Sequence, residues 1–165
     1  MLRLYITRHA KASKDDPTVR DFDRPLNERG LRDAASMGAR FKQRDEPVDV
    51  LLSSPAKRAH TTAAHFADAL GIAPADVVLD KDLYLADTGM LLRALGRLPG
   101  HARSAMVFGH NPGLSELVNA LTDGPFEELA TCSTVRVDLP AEAWSAITRG
   151  TGTLAWSDRP GLHTQ

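Results

Sequence analysis

The chain has 165 residues, of which 42% are hydrophobic, and a formal net charge of −1. That length fits one domain whose core is large enough to be stable without staples, and the near-neutral balance gives no broad field to attract nucleic acid or an anionic membrane. The one cysteine, Cys132, excludes an internal disulfide and a cysteine-rich zinc site. No apolar run approaches the ~18 residues of a membrane helix and no signal-peptide pattern opens the chain, so the cytoplasm is the expected location.

Residues 2–7 are an apolar run that reads as a buried strand, ending abruptly in Arg8 and His9. Residues 10–25 are polar and broken by Pro17 and Pro25, which predicts a loop. Asn27 can cap a helix with Leu31, Ala34 or Ala35, Gly38 and Phe41 on one face. Residues 48–53 predict a second strand, after which Ser54 caps a helix with Pro55 in its first turn. Ala59, Thr62, Ala63, Phe66 and Leu70 form the apolar side of that helix, and Gly71 stops it. A short strand over 77–79 and a helix over 88–98 follow, with Leu91, Leu95 and Leu98 inward and Pro99 and Gly100 as the stop. Residues 104–108 predict a strand and 114–121 a helix with Leu114, Leu117, Val118 and Leu121 aligned. Two late strands, over 134–139 and 152–156, are expected to pack against Trp144 and Trp156, and the tail after Pro160 is expected to be loose.

Alternating strands and helices predict a single α/β domain of three layers, a mainly parallel sheet with helices on both faces. In such sheets ligands bind at the C-terminal ends of the strands. The residues there are informative. The first strand delivers Arg8 and His9, the second leads into "SSPAKRAHTTA" with Arg58, and the strand ending at Phe108 leads into "GHNPG" with His110. The long loop adds "DFDRPLNERG", with Arg24 just before a helix start.

Two histidines and three arginines in one cleft of a neutral protein repel one another unless an anion sits among them. Planar guanidinium groups match phosphate oxygens bidentately, and helix N-termini near Ser54 and Pro112 add backbone donors. A phosphoryl group is therefore the expected guest. The sequence has no P-loop and no serine in a nucleophile elbow, and Cys132 is far from these motifs. A neutral imidazole, with an ordinary pKa of about 6.5, is a competent nucleophile at pH 7. His9 is the first choice, because Arg8 beside it can hold the oxygens of the group it attacks. No acidic and histidine ligand set has metal-binding spacing, so no metal and no other cofactor is expected.

"TRHAKAS", "SSPAKRAHTTA" and "GHNPG" together resemble the signature blocks of the histidine phosphatase superfamily, with its phosphoglycerate-mutase-like fold, although Ala10 stands where glycine is usual. "RHAKAS" with "DFDRPLNERG" resembles the branch of the phosphohistidine phosphatase SixA. The resemblance runs over about residues 2–121. It implies that His9 accepts the phosphoryl group, that Arg8 and Arg58 bind its oxygens, that His110 donates a further hydrogen bond, and that Arg24 is an additional phosphate-binding arginine. It also implies a phosphohistidine intermediate hydrolysed by water without a metal.

Many relatives carry an acid after the third strand, where this chain has Asp80, Asp82 and Asp87; Asp82, in the segment before Tyr84, is the preferred candidate. An oxygen leaving group with basicity approaching that of hydroxide, the base of water's pKa of about 15.7, needs such an acid. An imidazole leaving group, with a pKa of about 6.5, needs it less. The expected activity is thus hydrolysis of protein phosphohistidine. The alternatives are a small-molecule phosphomonoesterase and a non-catalytic phosphate-binding module. The expected partner is a phosphorylated protein or a small phosphate ester, not nucleic acid or a membrane.

Overall fold

The computed structural model describes residues 1–161. Six strands and four helices alternate along it: β1 (Leu2–Arg8), α1 (Glu28–Gln43), β2 (Val50–Ser53), α2 (Lys57–Leu70), β3 (Val78–Leu79), α3 (Thr88–Gly96), β4 (Ser104–Gly109), α4 (Gly113–Thr122), β5 (Thr134–Leu139) and β6 (Thr153–Asp158). They form one sheet in the order β3-β2-β4-β1-β5-β6. β1 to β4 run parallel, and β5 runs antiparallel to both β1 and β6. This is the mainly parallel three-layer α/β domain that the alternation predicts.

Successive strand residues point to opposite faces, and both faces are covered, so the central strands are mostly apolar on both sides. Leu2, Leu4 and Ile6 of β1 pack with Leu91, Leu95, Leu114 and Leu117 of α3 and α4. Tyr5 packs the other way, with Met37 and Phe41 of α1 and Phe66 of α2. Trp144 is buried on the first side and donates from Nε1 to the Ala102 carbonyl at 2.7 Å, while Trp156 on β6 packs against the second.

Two local expectations are corrected. Leu31 is 43% exposed, and the buried face of α1 runs instead through Gly30, Ala34, Met37, Gly38 and Phe41. α2 begins at Lys57 with Ala56 as its cap, so Ser54 and Pro55 precede the helix. Ser54 Oγ still accepts the Ala56 N–H at 3.2 Å, but it also faces His110, which holds it in the sheet edge rather than at the helix start. The Asn27 cap is present, its side chain accepting from the Gly30 N–H. The expected loose tail, His163 included, falls beyond Gly161 and outside the described residues. Among the described residues no helix is long and apolar enough to cross a membrane.

The loop after His9 is tied down rather than free. Ala12 bridges Leu26, the Asn27 N–H donates to the Lys11 carbonyl at 3.0 Å, and Asp21–Asp23 form a short 3-10 helix. A Cβ at Gly30 would overlap that same Lys11 carbonyl oxygen, so only glycine lets the first turn of α1 lie on this loop. Gly30→Ala is therefore expected to lower stability by about 1–3 kcal/mol, the usual cost of overpacking. Urea unfolding checks this, and an unchanged midpoint would contradict it.

Candidate active site

Strand register brings the chemistry-bearing residues level. Arg8 pairs with Gly109 across β1 and β4, and Ser53 pairs with Phe108 across β2 and β4. The ladder continues one step further, with the His9 N–H donating to Gly109 O at 3.1 Å and the Ser54 N–H to Phe108 O at 2.9 Å. His9, Ser54 and His110 consequently sit side by side at the C-terminal edge, with the two imidazole centroids 5.3 Å apart.

His9 Nδ1 lies 2.6 Å from the Ala10 carbonyl oxygen. A carbonyl only accepts, so Nδ1 carries the proton and the Nε2 lone pair is left free. Burial pushes the His9 pKa down to about 4; the Ala10 hydrogen bond opposes this, and the charges of Arg58, Arg8 and Arg24 add to it. The ring is neutral at pH 7. Ala10 has its side chain fully buried on the α1–α2 side, and its N–H donates to Thr62 Oγ1 at 3.0 Å, so the methyl group that replaces the usual glycine has a packed site.

His110 Nε2 is 2.8 Å from Ser54 Oγ, and its Nδ1 is buried with no partner among the described residues. Burial, with Arg58 and His9 next in weight, pushes the His110 pKa down to about 3. Tyr84 meets the His110 ring edge-on at 5.4 Å.

The three arginines are each anchored by protein oxygens. Arg8 Nη1 donates to Leu129 O at 2.9 Å, and its buried Nε has no partner among the described residues. Arg24 Nε donates to Ser13 O at 3.0 Å and its Nη1 to Asp21 Oδ1 at 3.2 Å. Arg58 Nη1 donates to the Asp21 carbonyl at 2.6 Å and its Nη2 to Asp21 Oδ2 at 3.0 Å. Arg8, His9, Lys11, Arg24, Arg58 and Thr131 all line one cavity of about 490 Å³. Leaving a buried donor unpaired costs about 1–3 kcal/mol, and Arg8 Nε is such a donor among the described residues. A second cavity, of about 420 Å³, is lined by Phe126, Glu128, Ser133 and Arg159; His9 lines the first of the two, and His110 lines neither.

The three carboxylates expected to supply an acid have other contacts. Asp80 and Asp82 face Arg97 at 2.6 and 3.1 Å, and Asp87 caps α3 by accepting from Met90 N–H. None of their hydrogen bonds in the structure reaches His9, His110, Arg8 or Arg58. The carboxylate that does enter the cluster is Asp21, which sequence reasoning passed over. It accepts from Arg24, Arg58 and the Tyr84 hydroxyl. Its only local signal is the three-residue step to Arg24 in "DFDR"; the links to residues 58 and 84 are made by the fold. The Tyr84 hydrogen bond, then Arg58 and Arg24, hold the Asp21 carboxyl down at about 2 against partial burial. It is an anion at neutral pH. Among the described residues, no three His, Cys, Asp or Glu side chains gather as a metal-binding group.

A mainly parallel sheet that presents two neutral histidines and anchored arginines at one edge has the donors a phosphoryl group needs. Residues 4–91 match the family model of the histidine phosphatase superfamily (branch 1), and the chain belongs to that superfamily. Its similarity is to the SixA branch. It is 26% identical to a protein histidine phosphatase SixA solved with tungstate, with a TM-score of 0.81 over 96% of this chain and 97% of that one. It is 28% identical to a SixA structure from Agrobacterium tumefaciens, with a TM-score of 0.79 over 97% of this chain and 99% of that one. An uncharacterised protein of Mycobacterium tuberculosis is 33% identical over 156 residues, covering 93% of this chain and 92% of its own.

Both histidines should resist protonation. Nitrogen-15 NMR at pH 6 is expected to find His9 neutral with its proton on Nδ1; a ring half-protonated near 6.5 would contradict the geometry. The folded values lie below the unfolded one, so from about 6.5 down to about 4 for His9, and to about 3 for His110, the unfolded chain binds more protons. Their contribution to stability is full above 6.5 and is lost as pH falls through that window.

Proposed function

We propose that the protein is a metal-independent phosphatase of protein phosphohistidine, acting in the cytoplasm through a phosphorylated His9. The observation that carries this reading is the pairing of a free His9 Nε2 lone pair with a surrounding cluster whose own carboxylate, Asp21, is held as an anion. Nucleophile and oxyanion donors are at hand, while the carboxylate bonded to these arginines has no proton to give to a basic leaving group. The similarity to SixA phosphatases supports the same substrate class.

In the first step Nε2 attacks phosphorus. The new P–N bond forms as the substrate's P–N bond breaks, and the electron pair goes to the leaving nitrogen. The substrate ring carries a proton on its other nitrogen and departs as neutral imidazole. His9, now substituted on Nε2 and protonated on Nδ1, is positive, and the Ala10 carbonyl at 2.6 Å stabilises that charge. Water then attacks the phosphorus, the pair returns to Nε2, and the water oxygen leaves with both its protons as dihydrogen phosphate. Arg8, Arg58 and His110 Nδ1 serve the equatorial oxygens, with Arg24 at the rim. Such preorganised donors act most strongly on the transition state.

A small-molecule phosphomonoesterase is the second reading. The cavity volume of about 490 Å³ and its Lys11 and Lys14 lining favour a compact anionic ester. Rates on a phosphohistidine protein, on phosphohistidine and on alkyl phosphates, all in excess chelator, separate the two. The phosphohistidine protein is expected to be the best substrate, with no loss on chelation. Asp82→Asn is expected to cost little on the N–P substrates, and Arg58→Lys to lower kcat/KM on the order of 10²-fold. Preference for alkyl phosphates, with a large Asp82→Asn loss on them, would favour the second reading.

A further inference from the structure

Asp21 lies at the meeting point of three separate elements. Its carboxylate accepts from Arg58 on α2, from Arg24 at the end of the long loop and from the Tyr84 hydroxyl after β3, while its carbonyl takes a second Arg58 N–H. Arg58 is buried to 5% exposure, whereas Asp21 itself stands at the rim. Both terminal nitrogens of Arg58 are therefore held along one edge of the guanidinium. Its Nε and the second N–H of Nη2 form the adjacent edge, and no hydrogen bond to Nε is made among the described residues. Tyr84, held by Asp21, in turn packs its ring on His110 and on Phe22.

We infer that Asp21 is the positioning residue of the phosphate cradle: it fixes one edge of Arg58 and turns the other toward the phosphoryl oxygens, and through Tyr84 it sets the His110 ring. The inference rests on the proposed histidine phosphatase site and assigns that site an additional residue. Asp21 makes no bond to phosphorus or to the leaving group. Its negative charge has an opposite effect on ground-state binding, because an anion beside the site repels inorganic phosphate. The two effects predict a split. Removing the charge leaves the arginine freer, which lowers kcat, and removes the repulsion, which tightens phosphate.

The test compares Asp21→Asn with wild type in kcat, KM and the inhibition constant of inorganic phosphate, with thermal melting alongside. Asp21→Asn is expected to lower kcat by about tenfold or more and to lower the phosphate inhibition constant by about fivefold, the scale of one nearby charge in a partly solvated site. A merely structural role would reduce the active fraction and leave the inhibition constant unchanged, and that result overturns the proposal, as does kcat within twofold of wild type. If Asp21→Asn does not fold, Tyr84→Phe carries the test, since it removes only the hydroxyl that Asp21 accepts. A several-fold fall in kcat at an unchanged melting temperature supports the proposal, and wild-type kcat overturns it. His9→Asn in the same assay reports on the proposed nucleophile separately: turnover retained there would defeat the histidine mechanism while leaving the phosphate-inhibition result to judge Asp21.

Discussion

The positive charge of Arg8, Arg24 and Arg58, gathered about two buried imidazoles, is the constraint on which the rest of the site depends. Three guanidinium groups at one sheet edge repel each other and oppose protonation of the rings between them. The fold answers in two ways. Backbone oxygens of Leu129, Ser13 and Asp21 hold the arginines where they are. The imidazoles respond by staying neutral, with pKa values down at about 4 and about 3 under burial and the arginine charge. Neutrality is what a nucleophile needs and what a cation site would otherwise have to enforce. On the proposed reading, the same field that suppresses protonation prepares His9 for attack and favours a phosphoryl anion.

The hydrogen bond from His9 to Ala10 completes that preparation. Without it either ring nitrogen could carry the proton; with it the lone pair is on Nε2. Thr62 links this turn to α2, accepting from the Ala10 N–H and donating to the Arg58 carbonyl, so the His9 turn and Arg58 share one support. Leaving-group chemistry then follows from what the cluster contains. On the proposed reading, the nitrogen of a phosphohistidine substrate leaves as a weak base with a proton already on its ring, which suits a site whose bonded carboxylate is ionised.

Much of this was legible in the sequence because the signals are local. Apolar runs that stop at an Arg or a His mark the strand ends, and a parallel sheet brings such ends to one edge; that placed Arg8, His9, Arg58 and His110 together. Asn27 and Gly71 behave as the cap and stop that their chemistry predicts. The errors are equally physical. Leu31 has the right period for the α1 face, but Met37 and the close approach at Gly30 set the helix rotation instead. Ser54 has the composition of a helix cap, yet its hydroxyl is needed beside His110. Asp21 is not legible as a site residue because two of its three side-chain partners are 37 and 63 residues away, beyond the reach of any periodicity. The part of Asp80, Asp82 and Asp87 in catalysis is a separate question from these errors: the fold gives them Arg97 and the start of α3 as contacts, and the Asp82→Asn rates decide it.

The central claim is that His9 Nε2 takes the phosphoryl group. The most direct measurement is to quench the enzyme during turnover of a phosphorus-32-labelled phosphohistidine protein and locate the label by alkaline peptide mapping and phosphorus-31 NMR. The account predicts an acid-labile, alkali-stable phosphoramidate on Nε2 of His9, absent in His9→Ala. Label on another residue, or full turnover by His9→Ala, would contradict it.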